Sequence, residues 1–164
     1  MRPGFWQLLT AAVLLCATSA YAAGQATPDE AKVMAIKAAE YLKSAGPDKA
    51  FAEFDAKEGP WHDRDLYVYV VDNTGVMVAH GTNPGLIGKS LIEFKDVDGK
   101  PMTQLTLAVK DAGWVDYKWQ NPLTKAVEQK TSYVVRVGNY AVVVGTYKQS
   151  IDGPILPLRV RDRS

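Results

Sequence analysis

The sequence predicts an α+β fold, in which one antiparallel sheet of about five strands carries a long N-terminal helix and short helices on one face. Two observations lead to this prediction. Helical periodicity dominates residues 28–56, whereas the alternation typical of strands dominates residues 66–80 and 115–147. Because runs of helices and runs of strands follow each other without regular alternation, we expect the helices to lie segregated against one antiparallel sheet.

The first helix is predicted to begin at Pro28, which fits the first helical position. Thr27 can cap the helix, and Glu30 completes a capping box with it. Apolar side chains then recur at three- and four-residue steps until Gly46 and Pro47 end the pattern. The helix therefore has one apolar stripe, which is expected to pack on the sheet.

A second, shorter helix and the first pair of strands are predicted next. The helix covers residues 48–56, and a polar loop follows at residues 61–65. Residues 66–71 and 76–80 then alternate as strands around the turn at residues 72–75. These two strands are expected to form a hairpin.

A long irregular crossing is predicted after this hairpin, because residues 81–101 are rich in Gly, Pro, Asn and Asp. One helical turn is expected near Leu91 within it. A third helix is predicted for residues 103–112, ended by Gly113.

Three consecutive strands are predicted in the last third of the chain. They cover residues 115–121, 128–137 and 140–147. Gly138 and Asn139 form the tight turn between the last two. Together with the first hairpin, these strands give the expected sheet of about five strands.

Residues 1–22 are predicted to be a secretory signal peptide. Arg2 forms a short positive region, the segment from residue 5 to residue 16 is mostly apolar, and Ala20-Tyr21-Ala22 is a small-x-small cleavage site. An uncleaved anchor is the alternative, but the apolar run is shorter than the about 20 residues that span a bilayer. Cleavage after Ala22 and export to the periplasm are therefore expected.

The mature chain is expected to form one domain over residues 23–150, with a solvated C-terminal tail at residues 151–164. Its charge is balanced, because one of the 19 Lys and Arg residues leaves with the signal peptide and 18 Asp and Glu residues remain. A balanced chain without a clustered basic surface argues against a nucleic-acid partner.

The sequence has few residues of the types that bind metals or cofactors or act as nucleophiles. The single cysteine, Cys16, lies in the signal peptide, and only His62 and His80 remain as histidines. Neither a zinc cluster nor a cysteine nucleophile can be built from these residues. The sequence has no G-x-S-x-G elbow and no C-x-x-C-H haem attachment. We expect no cofactor, no metal and no enzymatic activity.

Two loops resemble ligand motifs but fit turns better. The segment NPGLIGKS nearly matches the phosphate-binding loop, yet Asn83 replaces its first glycine and a hairpin precedes it. Asp96-Val97-Asp98-Gly99 suggests a calcium loop, but Phe94 stands where the first ligand belongs. The first segment is therefore predicted to turn over the edge of the sheet, and the second to form a simple turn.

The last three strands carry an unusual number of aromatic and polar side chains. Trp114, Tyr117, Trp119 and Tyr133 can form walls, and Lys130 can supply a charge. Ligand pockets combine mostly apolar walls with a few placed polar groups, so this set predicts a site for a small polar ligand. Tyr117 and Trp119 share a strand face, and if they face the pocket, Trp114 is expected at its mouth.

The first hairpin adds three candidates. Tyr67 and Tyr69 share a face, so either both enter the pocket or both cover the helix. His80, at the end of the second strand, either donates a hydrogen bond to the ligand or lies at the rim. The complete predicted ligand-binding set is Tyr67, Tyr69, His80, Trp114, Tyr117, Trp119, Lys130 and Tyr133.

These segments also resemble a known family. The order YxWxNPxT, Lys130, SYV and VVGTY resembles type 2 single-Cache domains, the extracytoplasmic ligand-binding modules of bacterial chemoreceptors and histidine kinases. LYVYVVDNTGVMVAHGTNPGLIGKS and FKDVDGKP are similar to the family's first hairpin and to its Gly-Lys and Asp-x-Asp-Gly-Lys segments, so the resemblance covers roughly residues 30–147. Gln129 departs from the family, which usually has proline before the lysine. The resemblance implies a PAS-like fold and a sensor that signals through a membrane receptor or kinase partner.

Lys130 decides the predicted ligand class. A lysine on a strand usually points to water, but the aromatic neighbours and the matching lysine of the family favour a buried position. A buried ammonium needs an anion, which a ligand carboxylate would provide. We therefore expect a periplasmic protein that binds a small organic acid, amino acid or similar polar metabolite. The alternatives are an assembly or interaction factor with a vestigial pocket and, in third place, a small hydrolase.

Overall fold

The structure is a computed structural model that describes residues 24–148. The predicted signal peptide and the predicted C-terminal tail lie outside the described residues. The elements, in chain order, are α1 (Pro28–Ala45), α2 (Pro47–Phe54), β1 (His62–Asp63), β2 (Leu66–Asp72), β3 (Met77–His80), a 3-10 turn (Pro84–Leu86), α3 (Met102–Ala108), β4 (Ala112–Gln120), β5 (Val127–Val137) and β6 (Tyr140–Tyr147).

The strands form one antiparallel sheet in the order β1-β2-β6-β5-β4, and β3 pairs with β2. The predicted α+β fold is confirmed. Its sheet has one strand more than expected, because His62 and Asp63 pair with Tyr67 and Leu66 inside the segment that was predicted to be a polar loop. β2 and the last strand, β6, therefore lie side by side in the interior of the sheet.

α1 begins as the sequence predicts. The Thr27 hydroxyl accepts a hydrogen bond from Glu30 N at 3.2 Å, and the Glu30 carboxylate accepts one from Thr27 N at 2.7 Å. This capping box satisfies backbone donors that the first turn of a helix leaves free. The helix ends at Ala45, where Gly46 adopts a positive φ of 81°.

The two faces of the sheet bury different side chains, because successive residues of a strand point to opposite faces. Leu66, Val68 and Val70 of β2 face α1 and α2 and pack in one core with the alanines of α1. Tyr67 and Tyr69 face the opposite side, in a second core that contains Tyr117 and Tyr147, as well as Met102 of α3. Tyr67, Tyr69 and Tyr117 of the candidate binding set therefore fall on the face away from the long helix.

The crossing between β3 and β4 differs from the prediction in two places. The short helical turn lies at Pro84–Leu86 rather than near Leu91, where a hydrogen bond from Phe94 N to Leu91 O closes a turn instead. α3 ends at Ala108 rather than at residue 112, because Ala112 already pairs with Val135. Pairing with a neighbouring strand overrides the helical pattern at this point.

The two loops with motif resemblance form turns. Within the segment NPGLIGKS, Gly88 N donates to Met77 O at 2.8 Å, and Lys89 O accepts from Met77 N at 3.0 Å. The segment thus runs along β3 at the edge of the sheet. The carboxylate of Asp96 accepts hydrogen bonds from the backbone of Asp98 and of Lys118, which attaches the second loop to β4.

Candidate functional site

Lys130 lies in the interior of the protein and has no exposed surface. It stands on β5 opposite Tyr147 of β6 and Tyr117 of β4, on the tyrosine-bearing face of the sheet. Its ammonium donates hydrogen bonds to the hydroxyls of Tyr67 at 2.8 Å and Tyr147 at 3.2 Å. The Nζ atom also lies over the rings of Tyr67 and Tyr147, at 4.0 and 4.8 Å from their centroids.

Every hydrogen-bond partner of this ammonium in the described part of the chain is neutral, and none of the described carboxylates lies within ion-pair distance of it. Burial holds the pKa of Lys130 well below its usual range, while the more distant Asp65 carboxylate acts in the opposite direction. An anion in contact with Nζ would favour the charged form and offset the cost of burial. The site is therefore electrostatically suited to an anionic group.

A network of phenol hydroxyls surrounds Lys130. The hydroxyl oxygens of Tyr67 and Tyr147 lie 3.2 Å apart, and those of Tyr69 and Tyr117 lie 2.9 Å apart. The Tyr117 hydroxyl also contacts the Ser132 hydroxyl at 3.0 Å. Burial raises the pKa of Tyr69 and of Tyr117, so both remain neutral phenols. The cluster can therefore donate as well as accept hydrogen bonds.

A small cavity lies beside this network. Its volume is about 10 Å³, the room of roughly one water molecule. Any carboxylate larger than a water molecule must therefore move part of the wall when it binds. The lining residues are Tyr67, Tyr69, Met77, His80, Met102, Tyr117 and Trp119.

Trp119 lines both this cavity and a neighbouring groove. Its ring packs edge-on against Phe94, with 5.7 Å between the centroids. On its outer side, Trp119 lines an open apolar groove of about 310 Å³ together with Phe94, Val97 and Val127. Trp119 therefore lies between the groove and the cavity.

His80 forms another part of the wall as a neutral ring. It lies against the rings of Tyr67 and Tyr69, at centroid distances of 5.0 and 5.9 Å. Its Nδ1 atom accepts a hydrogen bond from Asn83 N at 3.0 Å, which leaves the proton on Nε2. Burial, with a further contribution from the charge of Lys130, lowers the pKa of His80 to about 3.

This pKa predicts a loss of stability in acid. The unfolded chain takes up a proton on His80 near pH 6.5, whereas the folded chain takes it up only near pH 3, so stability falls as the pH falls between these values. Lowering the pH from 7.5 to 5 is expected to reduce the free energy of unfolding by about 2 kcal/mol through this residue. Urea unfolding curves at the two pH values measure the loss.

Two histidine variants control this measurement. His80→Asn keeps a side-chain acceptor near Asn83 N but cannot be protonated, so it should remove most of the drop. His62→Asn, at the half-buried second histidine, should retain it. A His80→Asn variant with the same pH dependence as the parent would show that another group titrates.

The structure does not bring Trp114 and Tyr133 into the Lys130 cluster. They contact each other on the opposite face, with 4.9 Å between their ring centroids, and Tyr133 packs against the core of the long helix. Trp114 is 42% exposed. Tyr133 is three residues from Lys130, so the alternation of strand side chains places the two on opposite faces. The other six predicted residues, Tyr67, Tyr69, His80, Tyr117, Trp119 and Lys130, lie together.

Several members of the site were missed by the sequence reasoning. Ser132 lies two residues from Lys130 and therefore on the same face of β5. Tyr147 on β6 is the direct pairing partner of Lys130. Both could have been found from strand alternation. Met77 and Met102 carry no polar signal and look like ordinary core residues. No metal-binding group of three or more His, Cys, Asp or Glu side chains occurs within residues 24–148.

Comparison with protein families gives a match over almost the whole chain. The family model described as Single Cache domain 2 matches residues 7–152. Among the described residues, no helix is both long and apolar enough to cross a membrane.

Two curated relatives carry similar segments. The chain is 32% identical over 87 residues to the sensor histidine kinase MctS of Rhizobium johnstonii, covering 52% of this chain and 19% of the kinase. It is 30% identical over 88 residues to the methyl-accepting chemotaxis protein McpP of Pseudomonas putida, covering 52% of this chain and 16% of the chemoreceptor. The aligned part thus spans less than a fifth of each relative.

Among solved structures, a Cache chemosensory domain described for carboxylic acid recognition has a similar fold. The TM-score is 0.63 at 26% sequence identity, and the match covers 74% of this chain and 92% of that domain. The likeness therefore extends over nearly the entire sensory domain.

Proposed function

The chain belongs to the Single Cache domain 2 family, and from that premise we propose that it is a periplasmic sensor for a small carboxylate or similar polar metabolite. Relatives in this family are sensor domains of histidine kinases and chemoreceptors, which sense ligands in signalling and are not catalytic modules. In the proposal, the ligand-bound protein acts on a membrane receptor or kinase, which carries the signal inward.

The buried ammonium of Lys130 is the observation that supports this ligand class most strongly. Its described partners are neutral hydroxyls, and an isolated buried charge is unfavourable unless an opposite charge compensates it. A structurally similar Cache domain is described for carboxylic acid recognition, which agrees with an anionic ligand. A neutral ligand would leave the ammonium without compensation.

The surrounding side chains suggest how the ligand is held. We place one carboxylate oxygen on Lys130 Nζ, where it replaces the hydroxyls of Tyr67 and Tyr147 as acceptors. The Tyr67 hydroxyl can then donate its proton to the carboxylate as a second contact, while the Tyr147 hydroxyl keeps its hydrogen bond to Gln120 O. The aromatic walls of Tyr69 and Trp119 enclose the apolar part of the ligand. Trp119 moves to admit it, because the cavity holds only about one water molecule.

Export completes the proposal. We propose that the chain enters the periplasm through the signal sequence at residues 1–22 and is cleaved after Ala22. N-terminal sequencing of the protein recovered from the periplasm should give Ala23 as the first residue. A membrane-bound form that still begins at Met1 would overturn the free periplasmic form of the proposal.

A ligand titration followed by melting temperature tests the ligand class. A protein that binds acetate only when folded is stabilised with the logarithm of the acetate concentration, by about 2.7 kcal/mol at one hundred times Kd. Acetate is expected to raise the melting temperature, and acetamide, which has the same shape without the charge, is expected to raise it much less.

The same titration separates sensor from assembly factor. Larger monocarboxylates and amino acids extend the panel and define the size of ligand that the site accepts. If none of these anions raises the melting temperature but a protein partner does, the result favours the assembly factor instead.

A further inference from the structure

Asp65 is a buried carboxylate outside the ligand cluster that joins three separate parts of the chain. It lies immediately before β2 and has no exposed surface. One carboxylate oxygen accepts a hydrogen bond from Ala26 N at 2.6 Å. The other accepts from Tyr147 N at 3.1 Å and lies 2.8 Å from the Thr146 hydroxyl. Because Ala26 stands just before the cap of α1, Asp65 attaches the beginning of that helix to the end of β6.

The partners of this carboxylate are all uncharged. None of the described cations lies within ion-pair distance of Asp65, and the neighbouring Arg64 pairs with Glu30 and Asp63 instead. The Thr146 hydroxyl also lies 2.5 Å from Ala26 O, and its single proton can serve only one of the two acceptors at a time. The Thr146 hydroxyl can therefore donate to either Ala26 O or Asp65 within the same attachment.

Tyr147 connects this attachment to the ligand cluster. Its backbone N–H donates to Asp65, while its hydroxyl accepts from Lys130 and donates to Gln120 O at 2.8 Å. A ligand that takes the ammonium away from this hydroxyl changes the hydrogen bonds at one end of Tyr147. The other end of the same residue is held by the carboxylate that positions Ala26.

Resting on the ligand site proposed above, we propose that Asp65 is a positioning residue that couples occupancy of the Lys130 site to the beginning of α1. The physical route runs from the backbone N–H of Tyr147 to the Asp65 carboxylate and from the carboxylate to Ala26 N. The Thr146 hydroxyl lies beside this route, in contact with both the carboxylate and Ala26 O. Ligand binding strengthens the attachment of Ala26. Coupling of this kind is reciprocal, so loosening the attachment weakens ligand binding by the same factor.

Amide hydrogen exchange of Ala26, followed by NMR with and without saturating acetate, measures this coupling. In the parent protein, acetate is expected to slow the exchange of Ala26 by about tenfold, within the usual range of coupling between sites. Asp65→Asn keeps the size of the side chain and removes its charge. Thr146→Val keeps the shape and removes the hydroxyl.

Both variants are expected to reduce the effect of acetate on Ala26 to less than about twofold and to raise the Kd of acetate by about tenfold. The exchange of Val143, in the core of β6, should respond to acetate as in the parent. Thr103→Val, at a buried threonine of α3, is the matched control and should retain the full response of Ala26. If Asp65→Asn does not fold, Thr146→Val decides the question alone.

The outcomes separate this inference from the proposed function. If acetate slows the amide exchange of Ala26 equally in the parent and in the folded variants, Asp65 has only a structural role. The inference is then overturned, while the ligand site stands. If neither acetate nor the wider anion panel changes the melting temperature or the exchange rate of any amide in the parent, the proposed ligand site is wrong. The inference is then wrong as well.

Discussion

Replacing Lys130 with methionine is expected to weaken acetate binding by about 2 to 5 kcal/mol, the usual cost of removing one member of a buried charge pair. Methionine keeps most of the stem and fills a similar space. The free energy of unfolding should not fall, because the parent buries an ammonium whose described partners are all neutral. Isothermal titration with acetate and a urea unfolding curve give the two quantities.

Two comparisons control this experiment. Lys32→Met removes a lysine that also lies over a tyrosine ring, Tyr133 at 5.4 Å, but on the exposed helix side of the sheet. Its acetate affinity should stay within about twofold of the parent, as for a change outside the site. Acetamide should lose much less affinity than acetate in Lys130→Met. Equal acetate affinity in Lys130→Met and the parent would remove the main support for an anionic ligand.

Substitution of Gly145 by alanine is expected to reduce the free energy of unfolding by about 2 to 3 kcal/mol, in the upper part of the range for overpacked cores. Gly145 pairs with Ser132 on β5, next to the stem of Lys130. A Cβ at this position would clash with Ser132 Oγ, its nearest neighbour, and would lie 2.6 Å from Lys130 Cε and 2.8 Å from Thr131 O. Since backbone cannot yield easily, the side chains of Ser132 and Lys130 must both move, and acetate binding should fall with stability.

Gly113→Ala is the matched control for this substitution. Gly113 also lies in a strand, but a Cβ there would meet Val109 Cγ1 at 3.5 Å, an ordinary contact. Urea unfolding of both variants measures the difference. A Gly145→Ala protein with the stability and acetate affinity of the parent would show that the Lys130 stem does not need this space.

Strand registers explain how much of the site could be predicted from the sequence. The two-residue turn Gly138-Asn139 fixes the pairing of β5 with β6, and that pairing places Tyr147 opposite Lys130. Tyr147 was therefore within reach of sequence reasoning. The same alternation places Lys130 and Tyr133 on opposite faces of β5. The aromatic content of the segment had suggested that the two side chains lie in one pocket.

Other features depend on contacts that no local pattern records. The pairing of β2 with β3 shifts between Val70 and Val71, and this irregularity sets which residue faces His80. The contact of Asp65 with Ala26 joins residues 39 positions apart. The capping box of α1, by contrast, is local and was predicted correctly because both partners lie within one helical turn.

A crystal structure of the protein with acetate bound tests the central claim most directly. A carboxylate oxygen is expected at about 3 Å from Lys130 Nζ, the distance of a charge-assisted hydrogen bond. The Tyr67 hydroxyl is expected to turn from the ammonium to the ligand, and the Trp119 side chain is expected to move. Acetate bound elsewhere, with Lys130 still hydrogen-bonded to Tyr67 and Tyr147 at 2.8 and 3.2 Å, would contradict the account.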